Sequence, residues 1–291
     1  MAQNLQKYLA ADNRPPLRVW NRTLSKCQSI VDLGAILESD GPAVLAQRCD
    51  IIFSMVFDDD ALRALVDVIV GANKRPNLMF IDCSTVYPTT TKECAEKMKA
   101  NGVRYLSCPM FGRPDAALAK MLVGSLAGAP ADKVEVRPYL DAMTRGVIDV
   151  GNEPHMANAE KLVGNFIILS AIEVLAEAQT LAEKAGLSRQ NVMDFVDTML
   201  PVPVFQGYGS RMANDDFQIT DTKAGFPVRG GLKDATYMKR LATEADAKLP
   251  ILDVAINHMQ KQKENGRDEL DWGSLVLSVR EESGLSGDAP K

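Results

Sequence analysis

Between residues 17 and 150 the chain alternates short, almost wholly apolar runs with longer stretches of helical periodicity. The runs fall at residues 17–20, 50–56, 78–82, 103–106, 121–127 and 146–150, and segments such as 59–72 separate them. Runs this uniformly apolar predict strands covered on both faces, and the helical lengths between them predict crossovers, hence a doubly wound, mostly parallel sheet. After Gly151 the rhythm changes. Residues 156–185 predict one long connecting helix, with Leu162, Phe166, Leu169, Ile172 and Leu175 at spacings of three and four and Gly186 at its C-terminal cap. Helices are expected again at 189–199, 232–247 and 251–265. The fold class is therefore α/β followed by an all-α domain, divided as residues 1–153 and 154–291. The polar, glycine-bearing segment 281–291 is expected to fray.

Composition narrows the class. The 291 residues are 46% hydrophobic and 24% charged, with mean hydropathy −0.10, and no uninterrupted apolar run nears the roughly 20 residues of a membrane span. A net charge of −5 and a pI near 5.3 provide no basic face for nucleic acid. The cysteines (Cys27, Cys49, Cys83, Cys94, Cys108) form no CxxC pair, and only two histidines accompany them. Neither a disulfide framework nor a metal site is expected, and a reducing compartment follows. Met1 leads into an amphipathic helical pattern without a cleavage site, so no targeting segment is read and a cytoplasmic protein is expected.

The candidate chemistry lies where the predicted strands and helices end. A dinucleotide-binding sheet opens with a strand, a glycine-rich turn and a helix whose N-terminus faces the pyrophosphate. Here the first element is helical, residues 17–20 have the character of a second strand, and GxGxxG occurs nowhere. Asn21, Arg22 and Thr23 end that strand. An arginine beside a hydroxyl suits the 2′-phosphate of NADP, although a solvated turn has the same composition. Ser54 and Met55 close the next strand at the end where open sheets bind ligands, and Asp58 to Asp60 read as a helix N-cap. Ser84 and Thr85 follow another buried strand, where either could serve as a helix cap. Lys161 and Asn165 are four apart and share a helix face; a lone lysine there more often snorkels. Lys233-Asp234 reads either as a second functional pair or as an ordinary exposed one.

Several of these segments together resemble the β-hydroxyacid dehydrogenases, relatives of 6-phosphogluconate dehydrogenase. Met1-Ala2-Gln3-Asn4-Leu5 followed by Val19-Trp20-Asn21-Arg22-Thr23 is similar to the family's GxGxMGxxMAxNL segment and its N-R-T turn. Asp82-Cys83-Ser84-Thr85-Val86-Tyr87-Pro88, the Lys161-to-Asn165 spacing and Lys233-Asp234 match further family motifs. The resemblance implies a Rossmann-like NADP-binding domain whose first strand and glycine loop would precede Met1. It places Asn21, Arg22, Thr23, Ser54, Met55, Ser84, Thr85 and Lys233 at the cofactor, with NADP preferred and NAD possible. It places Ser84, Phe111, Gly112, Arg113, Asn165 and Lys233 at the substrate, and makes Lys161 the acid/base, with Asn165 holding the substrate oxygen. Where the family has P-V-S-G-G, this chain has Pro109-Met110-Phe111-Gly112-Arg113, so a serine is lost and Arg113 is offered as a carboxylate partner. The glycines before the lysine helix are replaced by His155 and Ala157. Asp271-Trp272-Gly273-Ser274 resembles a terminal segment that closes the fold.

The expected activity is hydride transfer between NADP(H) and a small 3-hydroxyacid or related carbonyl compound, in a homodimer. Imine reduction is the alternative within that class. A non-catalytic interaction or dimerisation module is the alternative outside it. The absent glycine turn favours that last reading, and the retained Lys161–Asn165 pair opposes it.

Overall fold

A computed structural model describes residues 1–220 and 222–287. The chain forms two compact units, Met1–Lys161 and Leu162–Lys291.

The first unit opens with α1 (Ala2–Ala11), which buries Leu5 and Leu9. Next come β1 (Arg18–Val19), α2 (Gln28–Val31), β2 (Ile36–Leu37) and α3 (Pro42–Arg48). Then follow β3 (Ile51–Ser54), α4 (Asp59–Gly71), β4 (Met79–Asp82), α5 (Pro88–Ala100) and β5 (Arg104–Ser107). β6 (Met110–Phe111), α6 (Pro114–Leu118), β7 (Leu122–Gly128), α7 (Pro130–Met143) and β8 (Thr144–Asp149) complete the unit before the long helix α8 (His155–Lys184). β3, β4 and β5 run parallel, with Ile51 opposite Met79 and Met79 opposite Arg104. β7 runs antiparallel to β5 and β6 and parallel to β8, so the larger sheet is mixed. Side-chain alternation divides its core between two faces. Met79, Ile81 and Leu106 join Leu122 and Leu140 on one side, while Phe80 and Tyr105 join Leu62, Val66 and Met98 on the other.

β1 and β2 form a separate two-stranded parallel sheet, Arg18 opposite Ile36. Among the described residues, β1 has no strand on its edge away from β2, and β3 has none on its edge away from β4. The two sheets are nevertheless neighbours. Leu17 packs against both the main cluster and the small one built on Val19, Cys27 and Ala35. Gln6 of α1 binds the segments around the small sheet: its Oε1 accepts the Leu17 N–H at 2.8 Å and its Nε2 donates to the Leu33 carbonyl at 3.2 Å.

The second unit continues α8 and adds α9 (Arg189–Met199), α10 (Pro203–Ala213), α11 (Val228–Glu244), α12 (Pro250–Glu264) and α13 (Leu275–Glu282). α9 begins at a reciprocal capping box between Ser188 and Asn191. α11 starts at Val228, not at the expected residue 232. Gly230 and Gly231 lie inside it because a Cβ at Gly231 would stand 2.9 Å from the Trp272 ring and 3.0 Å from Met259 Sδ. His258 of α12 bonds Glu173 of α8 through Nδ1 at 2.7 Å; burial opposes its charge, but Glu173 and Glu282 outweigh burial and raise its pKa. α8 is long and apolar enough to cross a membrane by length and composition, and half of its most apolar window is buried inside the protein. It is apolar on its outer side as well, where Val163, Ile167, Val174 and Leu181 are exposed. The five cysteines are free thiols. Residues 281 and 282 of the segment expected to fray are helical, and residues 288–291 lie outside the described residues.

Candidate active site

At the C-terminal ends of β3 and β4, Asp82 collects three hydrogen bonds on one oxygen. Ser54 Oγ donates at 2.9 Å, Ser84 Oγ at 2.6 Å and the Ser84 N–H at 3.2 Å. Ser84 Oγ in turn accepts the Val56 N–H at 2.9 Å, and Asp59, in the first turn of α4, accepts the Tyr87 N–H at 2.8 Å. Asp58 caps α4 by accepting the Ala61 N–H, as expected of the acidic run. Ser54 and Ser84 are both buried. Both hydroxyls donate to Asp82, and that of Ser84 also accepts the Val56 N–H, so they tie the ends of β3 and β4 together. Met55 and Phe57 project from the same ends and are exposed, and Thr85 is half-buried. Ser84 does not cap α5, whose N-cap is Tyr87.

Asp82 was not singled out by sequence, although it stands inside the Ser84 motif. Desolvation raises its pKa from 3.8 to about 6, against the hydrogen bonds from Ser84 and Ser54. A raised folded pKa means a stabilising contribution that is complete below the unfolded value and lost as pH rises through the folded one. A rise of this size is worth about 3 kcal/mol. Asp82→Asn keeps the acceptor oxygen and abolishes the titration. Its stability relative to wild type, followed by urea unfolding, is therefore expected to rise between pH 4 and pH 7.5. A constant difference across that range would remove Asp82 from the account.

Asn21, Arg22 and Thr23 follow β1 and are exposed, with Asn21 Oδ1 accepting the Thr23 N–H at 2.8 Å. They stand on the small sheet, apart from the Asp82 network on the larger one. Arg18 of β1 is bound to the buried Glu38, which also takes Arg48 at 3.0 Å. Arg22 carries no such carboxylate partner among the described residues.

Lys161 is buried, with only 6% of its surface exposed. Its Nζ stands 3.9 Å from the centroid of the Phe111 ring. One turn earlier Asn158 fixes the start of α8: its Oδ1 accepts the Val86 N–H at 3.2 Å, and its Nδ2 donates to Thr91 Oγ1 at 2.8 Å and Ser107 Oγ at 3.1 Å. Sequence reasoning passed over Asn158, because an asparagine inside an apolar helix carries no motif by itself. Gly112 holds φ at +126°, and a Cβ there would meet Leu122 Cδ2 at 2.6 Å, so the residue after Phe111 has to be glycine. Arg113 is half-buried and pairs with Asp115 at 3.3 Å, so its guanidinium already has a local carboxylate.

In the second unit Asn165 Nδ2 donates to Asp234 Oδ2 at 2.8 Å, and Lys233 Nζ pairs with Asp234 Oδ1 at 3.0 Å. Lys233 also lies 5.0 Å from the Tyr237 ring. Lys233-Asp234 is thus no exposed surface pair, since Asp234 is buried and organises both predicted partners. Asp271 accepts the N–H groups of Phe226 at 2.9 Å and Gly273 at 3.0 Å, and fixes the segment before α11. Among the described residues no group of three or more His, Cys, Asp or Glu side chains could hold a metal ion.

With these positions set, similarity to known proteins becomes informative. Residues 1–151 match the NAD-binding domain of 6-phosphogluconate dehydrogenase. Residues 156–278 match the NAD-binding domain of NADP-dependent 3-hydroxyisobutyrate dehydrogenase. The uncharacterised oxidoreductase YfjR of Bacillus subtilis (strain 168) is 32% identical over 269 residues, covering 91% of each chain. Glyoxylate/succinic semialdehyde reductase 1 of Arabidopsis thaliana is 28% identical over 283 residues, 96% of this chain and 94% of that protein. The crystal structure of 3-hydroxyisobutyrate dehydrogenase from Salmonella typhimurium superposes with a TM-score of 0.82 at 18% identity, covering 94% of each chain. Two family models that together span both units, joined by a relative above 30% identity over nine-tenths of the chain, place this protein among the β-hydroxyacid dehydrogenases, a family of NAD(P)-dependent oxidoreductases.

Proposed function

We propose that the protein transfers a hydride between NADP(H) and a small 3-hydroxyacid or related carbonyl compound, with Lys161 as the acid/base. The observation that carries this reading is the burial of the Lys161 ammonium on a helix face shared with Asn165. A buried lysine is costly to retain without a task, and four-residue spacing directs both polar ends the same way. Bound nicotinamide supplies the hydride. Lys161 holds or gives the proton at the substrate oxygen. Asn165, its amide nitrogen fixed by Asp234, orients that oxygen, and Lys233 stands on the far side of the same carboxylate. Phe111 and Gly112 form a wall for the substrate, and Met55 and Thr85 lie along the cofactor. Turnover of NADPH against a panel of small aldehydes and keto acids, with cyclic imines beside them, tests the assignment. Oxidation confined to imines would move the protein to C=N reduction.

Arg22 is proposed to select NADP by pairing with the 2′-phosphate. Charge-assisted hydrogen bonds to a phosphate are worth roughly 1.5–3 kcal/mol, so Arg22→Ala is expected to erase about tenfold or more of the preference for NADPH over NADH. A wild-type protein that favours NADH, or a variant that keeps its preference, refutes the role.

The exposed stripe of α8 supports a homodimer. Val163, Ile167, Val174 and Leu181 recur within a narrow arc of the helix, and a surface of this kind calls for a partner. Light scattering should give twice the chain mass, and Ile167→Glu should return the monomer. A monomeric wild type at micromolar concentration excludes it.

A further inference from the structure

The Lys161 side chain is held by an aromatic face. We propose that Phe111 is the positioning residue for this ammonium and keeps it charged within its buried setting. The inference deepens the reading of Lys161 as the acid/base and rests on it for its catalytic meaning.

Both partners of the contact are supported on buried scaffolding in the first unit. On one side, Phe111 sits on β6 opposite Val123. Met110 before it is buried, and Gly112 after it is confined by Leu122. On the other side, Asn158 joins the first turn of α8 to Val86, Thr91 and Ser107. The 3.9 Å separation of Nζ from the ring centroid is thus imposed from two directions.

Burial removes water from the ammonium and favours the neutral amine. The negative face of the ring opposes that effect, and most strongly where water is excluded. A ring also differs in kind from a carboxylate partner: it stabilises the charge without being a base, so it does not compete with a substrate oxygen for the proton. Arg113, two residues after Phe111, pairs with Asp115, and Glu160 precedes Lys161 on α8.

The test uses the full chain carrying ¹³C-lysine, with the Lys161 resonance assigned by its loss in Lys161→Met. In the wild type the ε-methylene protons are expected upfield from the ring current. Phe111→Leu, which nearly conserves volume, should remove that displacement and lower the titration midpoint of Lys161 by about 1 to 1.5 pH units. Phe111→Tyr should retain both. If Phe111→Leu does not fold, Phe111→Met replaces it in the comparison. An unchanged chemical shift and midpoint in the ring-less variant overturns the proposal. The pH dependence of turnover separates the two claims. A limb that moves with the midpoint upholds both. A moved midpoint with an unmoved limb upholds the role of Phe111 and refutes Lys161 as the acid/base.

Discussion

Lys161→Met is expected to lower turnover by roughly 10²–10⁴-fold, the usual contribution of general acid/base catalysis. The substitution preserves most of the side chain's length and apolar stem and removes only the group that exchanges a proton. Folding should be little affected, because methionine has a helix propensity like that of lysine. Cofactor affinity should persist, because the proposed partner of Lys161 is the substrate oxygen. The decisive result is therefore a pattern: kcat collapses while the melting temperature and NADPH affinity stay in place. Retained turnover would shift the acid/base role to another group, and Lys233 would be tested next. No turnover by the wild type against a broad panel of carbonyl compounds would favour the interaction-module reading.

The parts of this site that were legible in the sequence are those whose signal is local. The spacing of Lys161 and Asn165 announces a shared helix face, and the apolar runs at 50–56 and 78–82 mark the strands whose ends carry Ser54 and Ser84. What stayed hidden depends on packing across the chain. Asp82 is an ordinary strand-end aspartate until the fold brings Ser54 and Ser84 onto a single oxygen. The Phe111–Lys161 contact joins residues fifty positions apart, and no periodicity encodes it. Gly230 and Gly231 read as a helix boundary because glycine weakens helices, yet Trp272 and Phe226 need the space they leave. The two-residue strands β2 and β6 are too short for alternation to register. The serines are legible by type and place, while their shared bond to Asp82 is visible only once the fold joins β3 to β4.

Adding a parallel strand and a glycine-rich turn ahead of Met1 is expected to tighten NADPH binding by roughly 10²-fold or more. β1 and β3 each have an unpaired edge among the described residues, and Leu17 packs against the clusters of both sheets. A strand inserted there would pair with both edges and make one continuous sheet. Its C-terminal turn would reach the start of α1, whose N-cap is Met1. Backbone N–H groups at such a turn, together with the helix end, form the usual receptor for a pyrophosphate. Two charge-assisted hydrogen bonds of about 1.5–3 kcal/mol each account for the expected gain even after some ordering cost. Titration of the chain with and without the added segment, by NADPH fluorescence, reads the difference directly. Replacing the added glycines with valine should cancel most of the gain, because the side chains would obstruct close approach to the phosphates. Equal affinities for the extended and unextended chains would mean that the pyrophosphate is held elsewhere, and that the open edges of β1 and β3 have no part in cofactor binding.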